Sequence, residues 1–244
     1  MSLVKRRRLV RGAGLAGVVA SVAYGVGDVL MLGKPVRPDE HPVARDLGAD
    51  NSALAMIAAS TTRLTAGSSA GVYATPLYLA AIWHLYQGLL PAGRARALPP
   101  ALILSGSWTW ASFIHGSFFH FGESWKSLEQ LADDPKAREI LHRQTKAFER
   151  STLLAYAPLI TAELVASALI IRAVASGKTA YPRWSGPLLA PVLPIVAAMG
   201  LTATHILPGP ARHALQGAGL SLGHLVNFGL STALLWRNRK VGTD

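Results

Sequence analysis

The sequence predicts an all-α integral membrane protein with six transmembrane helices and both termini in the cytoplasm. Three observations predict it. Half of the 244 residues are apolar and only 15% are charged, whereas a soluble globular chain carries about 25% charged residues. The deficit is concentrated in six long apolar runs, each near the length that crosses a hydrocarbon core of about 30 Å. The charges between the runs also sort by side, as the positive-inside rule requires.

The first run, Val10 to Leu32, follows Lys5, Arg6, Arg7 and Arg8. At about 23 residues it suits a membrane span better than the short apolar region of a signal peptide. Residues 33–51 read as a loop, with Pro35, Pro38 and Pro42 among mixed charges. Asn51 and Ser52 offer caps for a short interfacial helix over 52–64. The second run covers Ala66 to Leu90 and ends in the basic turn Pro91 to Arg96. The third covers Leu98 to Phe121. In the connection 122–150, Asp134 caps a helix with Pro135 at its first position, and Ala137, Ile140, Leu141, Ala147 and Phe148 recur at helical spacing, so this piece reads as amphipathic. The fourth run covers Thr152 to Val174. The fifth, Pro187 to Leu207, contains Pro191 and Pro194, which predict a bend. The sixth covers Ala214 to Trp236. The whole chain reads as one polytopic membrane domain, without an internal repeat.

Alternating six spans place Lys5, Arg6, Arg7, Arg8, Arg11, Arg94, Arg96, Arg172, Lys178, Arg183, Arg237, Arg239 and Lys240 on the side of the termini, against the single acid Asp244. The loops of the other side hold ten basic residues (Lys34, Arg37, Arg45, Lys126, Lys136, Arg138, Arg143, Lys146, Arg150, Arg212) and ten acids (Asp39, Glu40, Asp46, Asp50, Glu123, Glu129, Asp133, Asp134, Glu139, Glu149). Asp28, Arg63 and Glu163 lie in or beside spans. This asymmetry orients the termini to the cytoplasm and explains the formal charge of +11 without invoking nucleic acid. The expected location is the cell membrane, as in the inner membrane of a bacterium. With no cysteine in the chain, disulfides, thiolate catalysis, cysteine-ligated zinc and iron–sulfur clusters are excluded.

Polar residues inside the runs mark the candidate site. At about 100° per residue, Ser105, Thr109, Ser112, His120 and Glu123 share one arc of the third run, with His115 at its margin. This arc is expected to face other helices, with His120 and Glu123 as one wall of a pocket, while the serines and threonine bond back to their own helix. The sixth run carries a stripe of His213, Gln216, Ser221, His224, Asn227 and Ser231. The first puts Ser21, Tyr24 and Asp28 on one face, and the fourth puts Glu163 near its middle with Tyr156 and Ser167. A carboxylate at the bilayer centre costs about 2.5–3.5 kcal/mol on insertion scales and must face a partner or a cavity. His205 ends the fifth run on the same side as His120, and Arg63 precedes the second there. His84 lies apart and reads as a packing residue.

These groups converge on the non-cytoplasmic half and suit acid–base chemistry of an isomerase, cyclase or lyase type on a lipid-like or isoprenoid substrate. The expected catalytic residues are His120, Glu123, Asp28, His205, Glu163 and His224. The expected substrate-binding residues are Tyr24, Arg63, Trp108, Ser112, His115, Tyr156, His213 and Asn227. The expected partners are the bilayer and the lipid-like substrate. No cofactor and no metal ligand are predicted. His115 and His120 are five positions apart and point about 140° from one another, which argues against a shared metal. The alternatives are a zinc-dependent lipid hydrolase, a b-type haem protein with histidines from two helices, a small proton-coupled transporter and a non-catalytic assembly protein with polar packing seams.

Overall fold

Helices make up the regular structure of the computed structural model, which describes residues 3–131, 133–203, 206–215 and 217–237; no strand occurs among these residues. The helices are α1 (Leu3–Leu32), α2 (Pro42–Asp46), α3 (Asn51–Ile57), α4 (Thr61–Leu89), α5 (Arg94–Gln130), α6 (Pro135–Ala175), α7 (Gly186–Leu189), α8 (Val192–Ala203), α9 (Gly209–Leu215) and α10 (Gly219–Arg237).

Helix starts follow side-chain caps. Asp50 accepts from the Ala53 amide at 2.8 Å, Ser60 from Arg63 at 3.3 Å and Asp134 from Ala137 at 3.0 Å. Each supplies an acceptor to one of the unpaired amides of a first helical turn. Asp134 and Pro135 act as the sequence predicts. The expected helix over 52–64 instead breaks, because Ser60 restarts the chain as α4 and Asp50, rather than Asn51 or Ser52, caps α3. The connection after the third run also differs from the expectation of a separate amphipathic helix. Helix α5 continues nine residues beyond Phe121, and the amphipathic segment is the first part of the 41-residue α6. Trp125 and Leu128 are fully buried in that extension, so packing holds it helical where hydropathy alone reads a loop. Glu129 seats α2 on it by accepting from the amides of Val43 and Ala44 at 3.4 and 2.8 Å.

Among the described residues two helices, α1 and α6, are long and apolar enough to cross a membrane. Helix α7 with its preceding turn and α8 form a third candidate as one bent span, with 57° between Arg183–Leu189 and Val192–Ala203. The bend falls at Ala190 and Pro191, where the proline sequence predicts one. The outward faces of the long helices are themselves apolar: Leu15, Val19, Val22 and Val26 on α1, and Leu153, Leu154, Ile160 and Leu164 on α6, are exposed.

Hydrogen bonds show which helix ends meet. Arg6 donates to Gln87 at 3.1 Å and Arg11 to the Trp236 carbonyl at 2.9 Å, so the start of α1 lies beside the ends of α4 and α10. The loop after α6 joins the same end, through the Ala180 amide on the Gly88 carbonyl at 2.8 Å and the Tyr181 hydroxyl with Ser231 at 2.7 Å. Burial pushes the Tyr181 hydroxyl above its ordinary range, against the opposing effect of Ser231. At the other end, Arg63 donates to the carbonyls of Leu30 and Val29, at 3.0 Å each, and closes the last turn of α1.

Candidate functional site: two acid–histidine pairs in one cavity

The buried face of α5 repeats at helical spacing through Leu104, Ser107, Trp108, Ile114 and His115, then Phe121, Gly122, Trp125 and Leu128. This is not the arc on which the sequence places the pocket wall. His120 is exposed, beside Phe113, Phe148 and Thr152 in a separate surface cleft. Glu123 is partly exposed and pairs with Lys126 at 2.8 Å. The expected inward wall of His120 and Glu123 is therefore corrected to His115 and Trp108. The physical reason is packing: the aromatic and small side chains of α5 interlock with α1, α4 and α6, and the polar arc is left to turn outward. Ser105 and Thr109 donate to Ala101 and Gly106 of their own helix, as expected. Ser112 is half-buried and does not line the cavity.

The stripes on the other three helices do face inward. Ser21, Tyr24 and Asp28 of α1, Glu163 and Ser167 of α6, and Ser221, His224, Asn227 and Ser231 of α10 are all buried. Between them lies a cavity of about 220 Å³ lined by Tyr24, Asp28, Trp108, His115, Tyr156, Glu163, Ser221 and His224, with Leu32, Ser52, Ala111, Ile114, Phe118, Leu159, Gly217 and Leu220. Seven of the sequence-predicted site residues meet there, from α1, α5, α6 and α10.

The first acid–histidine pair is the closer one. The Ser221 hydroxyl donates to Asp28 Oδ2 at 2.6 Å, and His115 Nε2 lies 3.3 Å from Asp28 Oδ1. His115 Nδ1 is 3.2 Å from the Ser68 carbonyl, which only accepts, so Nδ1 carries a proton. Attraction between Nε2 and Oδ1 then requires one further proton shared by the pair. The imidazole sits directly against Gly71 of α4, and a Cβ at Gly27 of α1 would lie 2.8 Å from His115 Cε1. Only glycines leave room for the ring between these helices.

The second pair is open. His224 Nε2 stands 3.9 Å from Glu163 Oε1, beyond hydrogen-bond reach, and Ser107 donates to that same oxygen at 3.2 Å. Among the described residues, Glu163 Oε2, His224 Nδ1 and Trp108 Nε1 are buried without a hydrogen-bond partner, as is His115 Nε2 of the first pair. Both Glu163 and His224 are only 4% exposed. The rings between the two pairs are tightly set. Tyr78 stacks on Trp108 at 3.4 Å between centroids, Tyr24 meets Trp108 edge-on at 5.3 Å and His115 at 4.7 Å, and His224 meets Trp108 at 4.9 Å. The Tyr24 hydroxyl bonds with Thr75 at 2.8 Å, and Tyr78 donates to Ser21 at 3.0 Å.

The remaining predicted residues lie elsewhere. Arg63 holds the end of α1. Asn227 is fully buried and donates to the Leu189 carbonyl, which fixes α10 to the bend after α7. His213 lines a wider cleft of about 530 Å³ with Met199, Thr202 and Arg212, which adjoins the cavity at Gly217 and Leu220. His205 and Gln216, like Arg239, Lys240 and Asp244, lie outside the described residues. Among the described residues no group of three or more His, Asp or Glu is close enough to hold a metal ion. Four contributors were not named as site residues from sequence: Ser107, Tyr78, Ser68 and Ser221. Ser107 sits one residue from Trp108, and Ser221 shares the α10 stripe with His224, so helical spacing around the buried acids was the signal that leads to both.

Fold and cavity together define an all-helical protein with two to three candidate membrane spans and buried acid–histidine pairs between its helices. Residues 6–238 match the model of a family described as "Family of unknown function (DUF6796)", and the chain belongs to that family. No curated protein and no solved structure matches the chain.

Proposed function

We propose that the chain is a multi-pass enzyme of the cell membrane, with six spans and cytoplasmic termini, that performs acid–base chemistry on a lipid-like molecule. One observation carries this reading: two carboxylate–imidazole pairs from four helices line a single cavity among aromatic rings. Ionisable residues inside apolar helices are costly and tend to be retained where function uses them. A protonated acid and a basic nitrogen a few ångströms apart can deliver a proton to one atom of a substrate and remove one from another, as isomerisation, cyclisation or elimination requires. In this reading Glu163 and His224 exchange protons with the substrate. Asp28 and His115, already bonded to Ser221 and Ser68, hold their geometry and set the charge opposite. Tyr24, Trp108 and Tyr156 wall off water. The chemistry needs no cofactor.

The test is comparative. Wild type, Glu163→Gln and His224→Gln are reconstituted separately into a total lipid extract, and the lipids are followed by mass spectrometry. At least one species is expected to change with the wild type and to remain with both variants, whose melting temperatures stay near that of the wild type. If well-folded variants leave the same lipid pattern as the wild type, the enzyme reading is lost.

A further inference from the structure

The unpartnered atoms of the cavity specify the polar end of the molecule it takes. Glu163 Oε2 is an acceptor when ionised. Trp108 Nε1 carries a hydrogen in every state and can only donate. Among the described residues both are buried without a hydrogen-bond partner, and so are His224 Nδ1 and His115 Nε2. Native proteins leave few buried polar atoms unpaired, and each such case calls for an explanation. Asp28 is less available, because Ser221 donates to its Oδ2 and His115 Nε2 lies 3.3 Å from its Oδ1.

We propose that this cavity binds the hydroxyl end of an uncharged lipid, the ligand oxygen accepting from Trp108 Nε1 and its hydrogen directed to Glu163. This rests on the cavity's reading as the reaction site and names its substrate class. Three alternatives fit less well. A carboxylate or phosphate ester would face Asp28 and Glu163, and among the described residues no lysine or arginine lines the cavity. A quaternary ammonium satisfies neither atom, having no hydrogen to give and no lone pair. A ketone accepts from Trp108 but leaves an ionised Glu163 without a donor. A hydroxyl serves Glu163 in either protonation state, because it both donates and accepts. The volume, equal to about seven liquid waters, suits the head of such a molecule. Ser52, Phe118 and Tyr156 also line a second cavity of about 170 Å³, with Phe121, Leu153 and the carboxylates of Asp50 and Glu149.

The experiment uses the full chain in lipid nanodiscs and 1-decanol carrying a diazirine as a photoaffinity probe. Peptides from α5 and α6 are expected to be labelled. Unlabelled 1-decanol should compete about tenfold better than 2-decanone, decanoate or decyltrimethylammonium. Trp108→Phe, which keeps the ring and loses the N–H, should weaken labelling at least several-fold, as should Glu163→Gln. Equal competition by decanoate or by the ammonium compound overturns the inference, and so does undiminished labelling of both variants. Because the competition series needs no variant, a misfolded variant does not shield the inference. The two readings fail separately: selective alcohol binding with no lipid turned over removes the enzyme reading alone. Turnover of a lipid without a hydroxyl, with no preference in the series, removes this one alone.

Discussion

Gly71 and Gly106 show how little room the site leaves. Both are interior to long helices, where alanine is favoured over glycine by about 1 kcal/mol. A Cβ at Gly106 meets nothing within 4 Å, whereas one at Gly71 would clash with the His115 ring. Overpacking of this kind costs about 1–3 kcal/mol. Gly106→Ala is therefore expected to leave the melting temperature in detergent unchanged or raised, and Gly71→Ala to lower it. Equal shifts for the two would show that His115 is not confined as described. The same residues show what sequence could and could not locate. Asp28, Glu163 and His224 stand out in any reading, because each is a rare ionisable group inside an apolar run. The choice between His115 and His120 was not legible. They lie on different arcs of one helix, and only the fit of the His115 ring into Gly27 and Gly71 selects the inner one.

At the scale of elements, hydropathy identified where apolar helices lie but not where they end. It measures preference for lipid, while helicity continues as long as backbone bonds and one buried face support it. Helix α5 runs on through Glu123, Lys126 and Glu129 because Trp125 and Leu128 pack inward beneath them. The bend between α7 and α8 was legible from Pro191 and Pro194, but its anchors were not. Asn227 reads as a candidate ligand residue by its place in the α10 stripe, yet its amide holds the Leu189 carbonyl, and Ser167 Oγ holds the Val192 amide at 3.1 Å. These two bonds occupy backbone groups that the interrupted helix leaves free. Asn227→Ala is expected to cost about 1–3 kcal/mol, the usual penalty for a buried polar group left unmatched. At about 2–4 °C per kcal/mol for a chain of this size, the loss is visible in a thermal melt. A variant that melts with the wild type would remove Asn227 from this structural role and return it to the list of candidate ligand residues.

For the whole molecule, the structure shows which helix ends lie together, and labelling can test which side of a membrane each end faces. The start of α1 meets the ends of α4 and α10 through Arg6 and Arg11, and the loop after α6 joins them through Ala180. The opposite end holds the Arg63 contact to α1 and the Asp28–Ser221 bond between α1 and α10. If the six apolar runs all cross the bilayer, the first end gathers the strongly basic segments and faces the cytoplasm, and the α5–α6 hairpin projects from the other side. The chain has no cysteine, so a single introduced thiol reports its own position. Ala95 and Gln130 are both exposed, at the two ends of α5. In intact cells a membrane-impermeant maleimide is expected to label Gln130→Cys, and to label Ala95→Cys only after the membrane is opened. Reversed labelling would put the termini outside and turn the cavity toward the cytoplasmic half. Labelling of both positions in intact cells would mean that α5 does not cross the membrane, and the six-span arrangement would fall with it.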